Sequence, residues 1–566
     1  MRKTVLVIFS CFLSLLFVPK TYGQGQDKLL GLLKEELAQQ MKELKGEEFP
    51  PYHMNYRVID VTSSVVSASF GALMNSQQYR SRTLVPQIRL GDEKLDNFRF
   101  NQMGSAMSRF QGPSVARLPL DEENNEDAVR QAIWDEVNNR YKFAVDMYQK
   151  TKAESSVNVE EEDKAPYFSE AKVEKYYEAP LPAEKMTIDM DQWAARMKEI
   201  SAVFKNQPGI MKGDAIMIYT VERRYFVNNE GTEVVQNLPY TRIMVFGETK
   251  ADDGMELPLN LSYFAYDPAD LPANDKIIAD AKEMVKTLEA LRVAPVVDPY
   301  TGPALLSGPA SGVFFHEIFG HRIEGHRLKG GGETFKKKVG ELVLPADFQV
   351  YCDPTLRSYA GEELNGFYLY DDQGVKARRV DVVKDGILRE FLMSRVPLDG
   401  FPHSNGHGRT AGGGDPVSRQ SNLVVETTAP HTEAELRSML IEEAKKQGKE
   451  YGYYFKEVTS GFTLTGEGGS LNSFNVTPLE VYRIYVDGRP DELVRGVDLI
   501  GTPLSMFSNI VCGGDAPSVF TGECGAESGW VPVTASSPMI LVNKIETQRR
   551  QKSRDLPPIL PAPQNN

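Results

Sequence analysis

The sequence predicts an α+β protein: a mixed α/β N-terminal domain, then a β-rich C-terminal domain carrying a helix with a His-Glu-x-x-x-His segment. Three observations lead there. The chain has 566 residues, too many for one hydrophobic core, and its 41% hydrophobic and 25% charged content is ordinary for globular protein. The first half alternates segments of helical spacing with segments of strand alternation. After about Val339 the pattern is mostly strands and glycine turns, such as Asp371-Asp372-Gln373-Gly374 and Val383-Lys384-Asp385-Gly386-Ile387. The Pro-rich stretch Val293–Gly302 places the domain boundary near 295, giving units at 24–295 and 296–550.

The elements follow in order. Arg2 and Lys3 precede the apolar run Thr4–Val18, and Thr21 and Gly23 offer small residues at the −3 and −1 positions. Residues 1–23 therefore read as a secretory signal peptide, with an uncleaved anchor as the alternative; the run is short for a bilayer span. The expectation is an exported protein, periplasmic or extracellular, with no stable membrane anchor. Leu29, Leu33, Leu37, Met41 and Leu44 lie at helical spacing in an amphipathic helix over 26–45, and Tyr52–Leu90 alternates like strands. Glu126–Lys152 reads as a helix, and the acidic stretch Ala153–Pro166 as a solvated loop. Thr187–Phe204 and Asp275–Arg292 read as helices; between them Ala215–Val245 holds two or three strands turning at Asn228–Gly231. A strand at Ala304–Ser307 leads through Gly308-Pro309-Ala310-Ser311 into the motif helix, and Glu433–Gln447 is a later helix. The tail after about Gln551 is Pro-rich and polar, the composition of a disordered segment.

The formal net charge is −14; removing Arg2, Lys3 and Lys20, with no acid in 1–23, makes it −17. Such a surface repels nucleic-acid phosphates, so no nucleic-acid partner is expected.

The chemistry concentrates in Val313-Phe314-Phe315-His316-Glu317-Ile318-Phe319-Gly320-His321. Two imidazoles able to hold Zn²⁺ flank a carboxylate able to take a proton from water, the set a zinc hydrolase needs. The histidines are five apart, which at about 100° per residue splays them by about 140° on a regular helix. A π-type turn eased by Gly320 would bring them together. Three of the chain's 7 histidines fall at 316, 321 and 326, which favours a metal over mere packing. A third ligand is needed. Spacing does not choose among Glu324, His326, Cys352, His403, His407, Cys512 and Cys524. Without Cys11 three cysteines remain, so at least one is unpaired or has another task. Gly522-Glu523-Cys524-Gly525 reads as a tight turn able to bring sulfur to a metal. Arg409 and the run Gly412-Gly413-Gly414 are candidate linings of a substrate cleft, with a mobile surface loop as the equal alternative for the glycines.

Gly312–Gly325 resembles the HExxxH segment of the TldD/PmbA peptidases, also called the modulator-of-DNA-gyrase family. The likeness continues through Val339-Gly340-Glu341-Leu342, Tyr370–Gly374, Gly386-Ile387-Leu388, Asn405–Arg409, Gly496–Gly501, Cys524-Gly525 and Val531-Pro532-Val533. It covers most of 300–545 and is much vaguer over 24–295. The resemblance implies an α/β domain followed by a β-rich domain, zinc held by His316, His321 and Cys524, and Glu317 as general base. It also implies a peptide substrate and a dimer, either of identical chains or with a family paralogue. His326 departs from the family's usual acid. A Cys512–Cys524 disulfide would remove the ligand, whereas Cys352–Cys512 would leave it free. A binding or scaffold subunit with a structural zinc or no metal is the alternative function.

Overall fold

A computed structural model describes residues 27–98, 115–155, 163–329, 335–463 and 474–550. The expected signal peptide and tail lie outside these residues.

The N-terminal half is one mainly antiparallel sheet, with the short strand Lys175–Tyr177 added in parallel, covered on a single face by four helices. Its long strands are Pro51–Ser69, Ala72–Asp92, Ile210–Asn228, Glu233–Lys250 and Glu256–Ala265. Helix α1 (Lys28–Leu44) starts where the Asp27 carboxylate accepts the Leu30 N–H at 3.0 Å. With α2 (Glu126–Ser155) it buries Leu29, Leu33 and Ile133 against Met54, Tyr56 and Val58. Helices α3 (Met190–Ser201) and α4 (Asn274–Val293) pack Met197, Ile200 and Leu288 against Val66, Met217 and Val245. Met54, Tyr56, Val58 and Val66 are even-numbered, and strand side chains alternate, so the odd-numbered residues of that strand face the other way.

That second face meets the C-terminal half. Arg57 donates to the Gly414 carbonyl at 2.7 Å, Gln236 to that of Tyr370 at 2.8 Å, and Arg242 to that of Thr521 at 3.2 Å. The stretch 163–166, expected to be solvated, is instead docked. Asp163 is buried, and the buried Lys329 ammonium donates to the carbonyls of Ala165 and Pro166 at 2.7 and 2.9 Å. A buried cation needs acceptors, and these carbonyls supply them.

The C-terminal half is built on a mixed sheet that closes on itself. Tyr300–Leu306 pairs with Tyr451–Thr463, which leads through Phe474–Tyr485 and Val497–Gly501 to Gly529–Arg549, and this last strand pairs again with Tyr300–Leu306. Helix α5 (Gly308–Ile318) packs inside this arrangement, and all its apolar side chains except Pro309 are buried. A helix apolar on every side belongs in an interior. Helix α6 (Glu433–Lys446) carries a capping box between Thr432 and Glu435.

Candidate metal centre

Helix α5 is set by its sequence. The Ser307 hydroxyl caps it by accepting the Ala310 N–H at 3.2 Å, and Pro309 sits in the first turn where no donor is missed. The expected π turn does not form. The helix ends at Ile318, Phe319 leaves helical geometry, and a 3₁₀ turn over Gly320–Arg322 swings His321 back. The freed carbonyls of Glu317 and Ile318 accept from Arg322 Nη1 at 2.8 and 3.3 Å. Gly320 serves another purpose than loosening the helix: a Cβ there would collide with the Gln420 side chain, which donates to the His316 carbonyl at 3.4 Å.

Cys524 comes from the hairpin Ile510–Ala526/Gly529–Arg549. The segment expected as a tight turn is strand, with Cys524 opposite Val531 and Gly525 opposite Trp530; the turn falls at Glu527–Ser528. The thiol lies 3.3 Å from His316 Nε2 and 3.4 Å from His321 Nε2. The three donor atoms lie within 4.8 Å of one another, and all three side chains are buried. Glu317 is beside them, with Oε2 4.0 Å from His321 Nε2.

Spacing in the helix brings these parts together. Gly308, Gly312 and His316 are four apart and share one helix face. A Cβ on Gly308 would meet the Ser518 side chain at 2.5 Å, and one on Gly312 the Ala535 carbonyl at 2.7 Å. The two glycines thus let the helix lie against the hairpin at the closeness His316 needs to reach Cys524. Gly312→Ala should force helix and hairpin apart, because a backbone oxygen cannot step aside. The expected cost is about 1 to 3 kcal/mol of stability and a lower metal affinity. Denaturant unfolding and competition with a metal chelator measure both; unchanged metal affinity in the folded variant would sink the argument.

Charged neighbours fix the donors. Glu324 Oε2 lies 3.2 Å from His321 Nδ1, the partner that holds a ligating imidazole by its other nitrogen. Burial raises the Glu324 carboxyl, but His321, Arg327 and Arg419 outweigh it and hold it well below the usual carboxylate range. Arg327 Nε donates to Glu324 at 2.7 Å and its other nitrogens reach Glu527. Arg419 Nη2 donates to the Cys524 carbonyl at 2.6 Å. Breaking one member of this set would leave a buried charge uncompensated, at about 3 to 5 kcal/mol.

The three thiols differ. Burial pushes Cys352 up, and Cys512 up to about 11. Burial also opposes ionisation of Cys524, yet His321, His316 and Arg419 overcome it and leave its pKa well below that of an ordinary thiol. All three are free, so neither contemplated disulfide is formed.

The remaining sequence candidates lie elsewhere. His326 is buried beside Glu527, 3.7 Å from its Oε2. His407 sits between Ser421 Oγ at 3.2 Å and Asn405 Oδ1 at 3.1 Å, and His403 is exposed. Arg409 is buried, donating to the Gln420 carbonyl at 2.5 Å with its guanidinium 4.8 Å from the Tyr368 ring centre. Gly412 and Gly413 are exposed, and Gly412 has a φ of +58° that glycine tolerates. Sequence reading passed over Arg419 and Gln420 and took Glu324 for a possible ligand; the glycines four and eight residues before His316 were a readable signal.

Comparison with known proteins finds relatives of this domain and of the fold. Residues 299–549 match the PmbA/TldA metallopeptidase C-terminal domain. A metalloprotease of Archaeoglobus fulgidus is 29% identical over 272 residues, covering 47% of this chain and 58% of the relative. One of Methanothermobacter thermautotrophicus is 26% identical over 329 residues, covering 56% of this chain and 65% of the relative. The matches therefore span less than two thirds of these curated relatives. The crystal structure of TldE from Thermococcus kodakarensis shares the fold, with a TM-score of 0.60 at 14% identity, covering 92% of this chain and all of that one. The match thus places residues 299–549, which carry a His/His/Cys cluster that can hold a metal ion, with the C-terminal domain of the TldD/PmbA family.

Proposed function

We propose that the chain is a zinc-dependent peptidase acting on peptides or unfolded segments. The observation that carries the reading is a buried His316/His321/Cys524 donor set with Glu317 beside it and outside it. The donors fit zinc. Ligands held at about 2.1 to 2.3 Å around a tetrahedral ion sit roughly 3.5 Å apart, against the observed 3.3 and 3.4 Å. Three protein ligands leave one position open, the mark of a catalytic rather than a closed structural site.

When bound, zinc supplies Lewis acidity and acidifies water. One thiolate and two neutral imidazoles against a divalent ion leave the centre with net charge +1, which favours hydroxide and a developing oxyanion. Glu317 takes the proton from the attacking water and returns it to the leaving amine. Glu324 holds the His321 ring in place, and Arg419 anchors the backbone of Cys524.

Strand addition beside Cys524 would compete with hydrogen bonds already in place. The carbonyls of Gly522 and Cys524 are already taken by Asn365 and Arg419. Removing zinc with a chelator should abolish cleavage of a panel of unfolded peptides, and one equivalent of zinc should restore it. Tightly held zinc with no cleavage of any peptide would instead favour a structural metal in a binding subunit.

A further inference from the structure

Between the second sheet face of the N-terminal half and the C-terminal half lies a cavity of about 30 Å³. Its charged lining is Glu222, Arg224, Arg357 and Arg409. Arg224 is spent: it donates twice to Glu222, at 2.8 and 2.6 Å, and reaches Asp372 at 3.3 Å. Arg357 and Arg409 are different. Among the described residues neither forms an ion pair. Arg357 is exposed at the mouth, its guanidinium 4.4 Å from the Tyr266 ring centre and 4.6 Å from that of Phe367. Arg409 is buried, with one hydrogen bond to a carbonyl and its stack on Tyr368. Set against Glu222 and Asp372, the three arginines leave a positive excess at the cavity, in a chain whose net charge is −14.

An unpaired buried guanidinium is costly, and aromatic walls strengthen any charge pair formed between them. We propose that this cavity is a carboxylate-binding subsite, taking the C-terminal carboxylate or an acidic side chain of a peptide between Arg357 and Arg409. Size supports the class. A water needs roughly 10 to 15 Å³, so the space is large enough for a carboxylate. The planar fork of a guanidinium also matches two carboxylate oxygens. The subsite borders the metal hairpin: Pro532 lines it, and Asn365, another lining residue, holds the Gly522 carbonyl two residues before Cys524.

The proposal extends the peptidase reading to substrate choice, and its test avoids turnover. Zinc-loaded Glu317→Gln protein is titrated calorimetrically with three N-acetylated pentapeptides of the same neutral sequence. One has a free C-terminal carboxylate, one is amidated, and one is amidated with a single glutamate. At least one acid-bearing peptide should bind about 10- to 100-fold more tightly than the neutral one, the worth of a charge-assisted pair. Whichever acid wins identifies the source. Arg357→Gln should reduce the preference to under about threefold, and Arg357→Lys should retain part of it. Arg357 is exposed, so these variants spare the core. Equal binding of all three peptides, or a preference that survives Arg357→Gln, overturns the subsite. A chain that prefers the acid but, with Glu317 restored, cleaves nothing loses the peptidase reading and keeps this one.

Discussion

Glu317→Gln should keep its zinc and lose hydrolysis by roughly two to four orders of magnitude, the usual worth of general acid–base catalysis. The carboxylate is not one of the three clustered donors, and its nearest contact to them is the 4.0 Å approach to His321. The amide keeps size and polarity, so the helix terminus should stand. Peptide cleavage and metal content are measured on the same folded preparation. A folded, zinc-loaded variant with full activity would refute the proposed base.

Cys524→Ser should lose most of the bound metal and all activity. A neutral hydroxyl cannot replace a soft anionic sulfur, and two imidazoles alone leave the ion weakly held. Cys352→Ser and Cys512→Ser are the controls. Both thiols are buried, both are pushed up by that burial, and neither belongs to the cluster. Metal analysis after dialysis against a weak chelator should separate Cys524 from the other two. Equal retention in all three variants would move the third ligand elsewhere. Unfolding must be followed alongside, because loss of a metal also costs the domain stability.

Much of the fold was legible because periodicity carries it. The leucines from 29 to 44 announced α1, and Asn228–Gly231 announced the turn between two long strands. The α+β architecture and the β-rich C-terminal half followed from the same signals. The motif histidines were legible as chemistry, but their geometry was not. Five-residue spacing suggested a widened turn, whereas the chain breaks the helix and lets Arg322 satisfy the exposed carbonyls. Cys524 was named through family resemblance, since spacing says nothing of partners 203 and 208 residues away. The glycines around it suggested a turn, and pairing across the hairpin decided for strand. Residues 163–166 misled for a related reason: they follow an acidic run and read as solvated, but the distant buried Lys329 claims the carbonyls of Ala165 and Pro166.

The wide separation of the metal donors also sets a clock. His321 and Cys524 are 203 residues apart, with the helix near the start of the domain and the hairpin near its end. At synthesis rates of about 5 to 20 residues per second, roughly 10 to 40 s pass between the emergence of one donor and the other. During that interval the nascent chain carries both imidazoles and the base but not the sulfur. The three-residue cluster is therefore completed as one of the last events in making the domain, and the chain spends its synthesis without the full donor set.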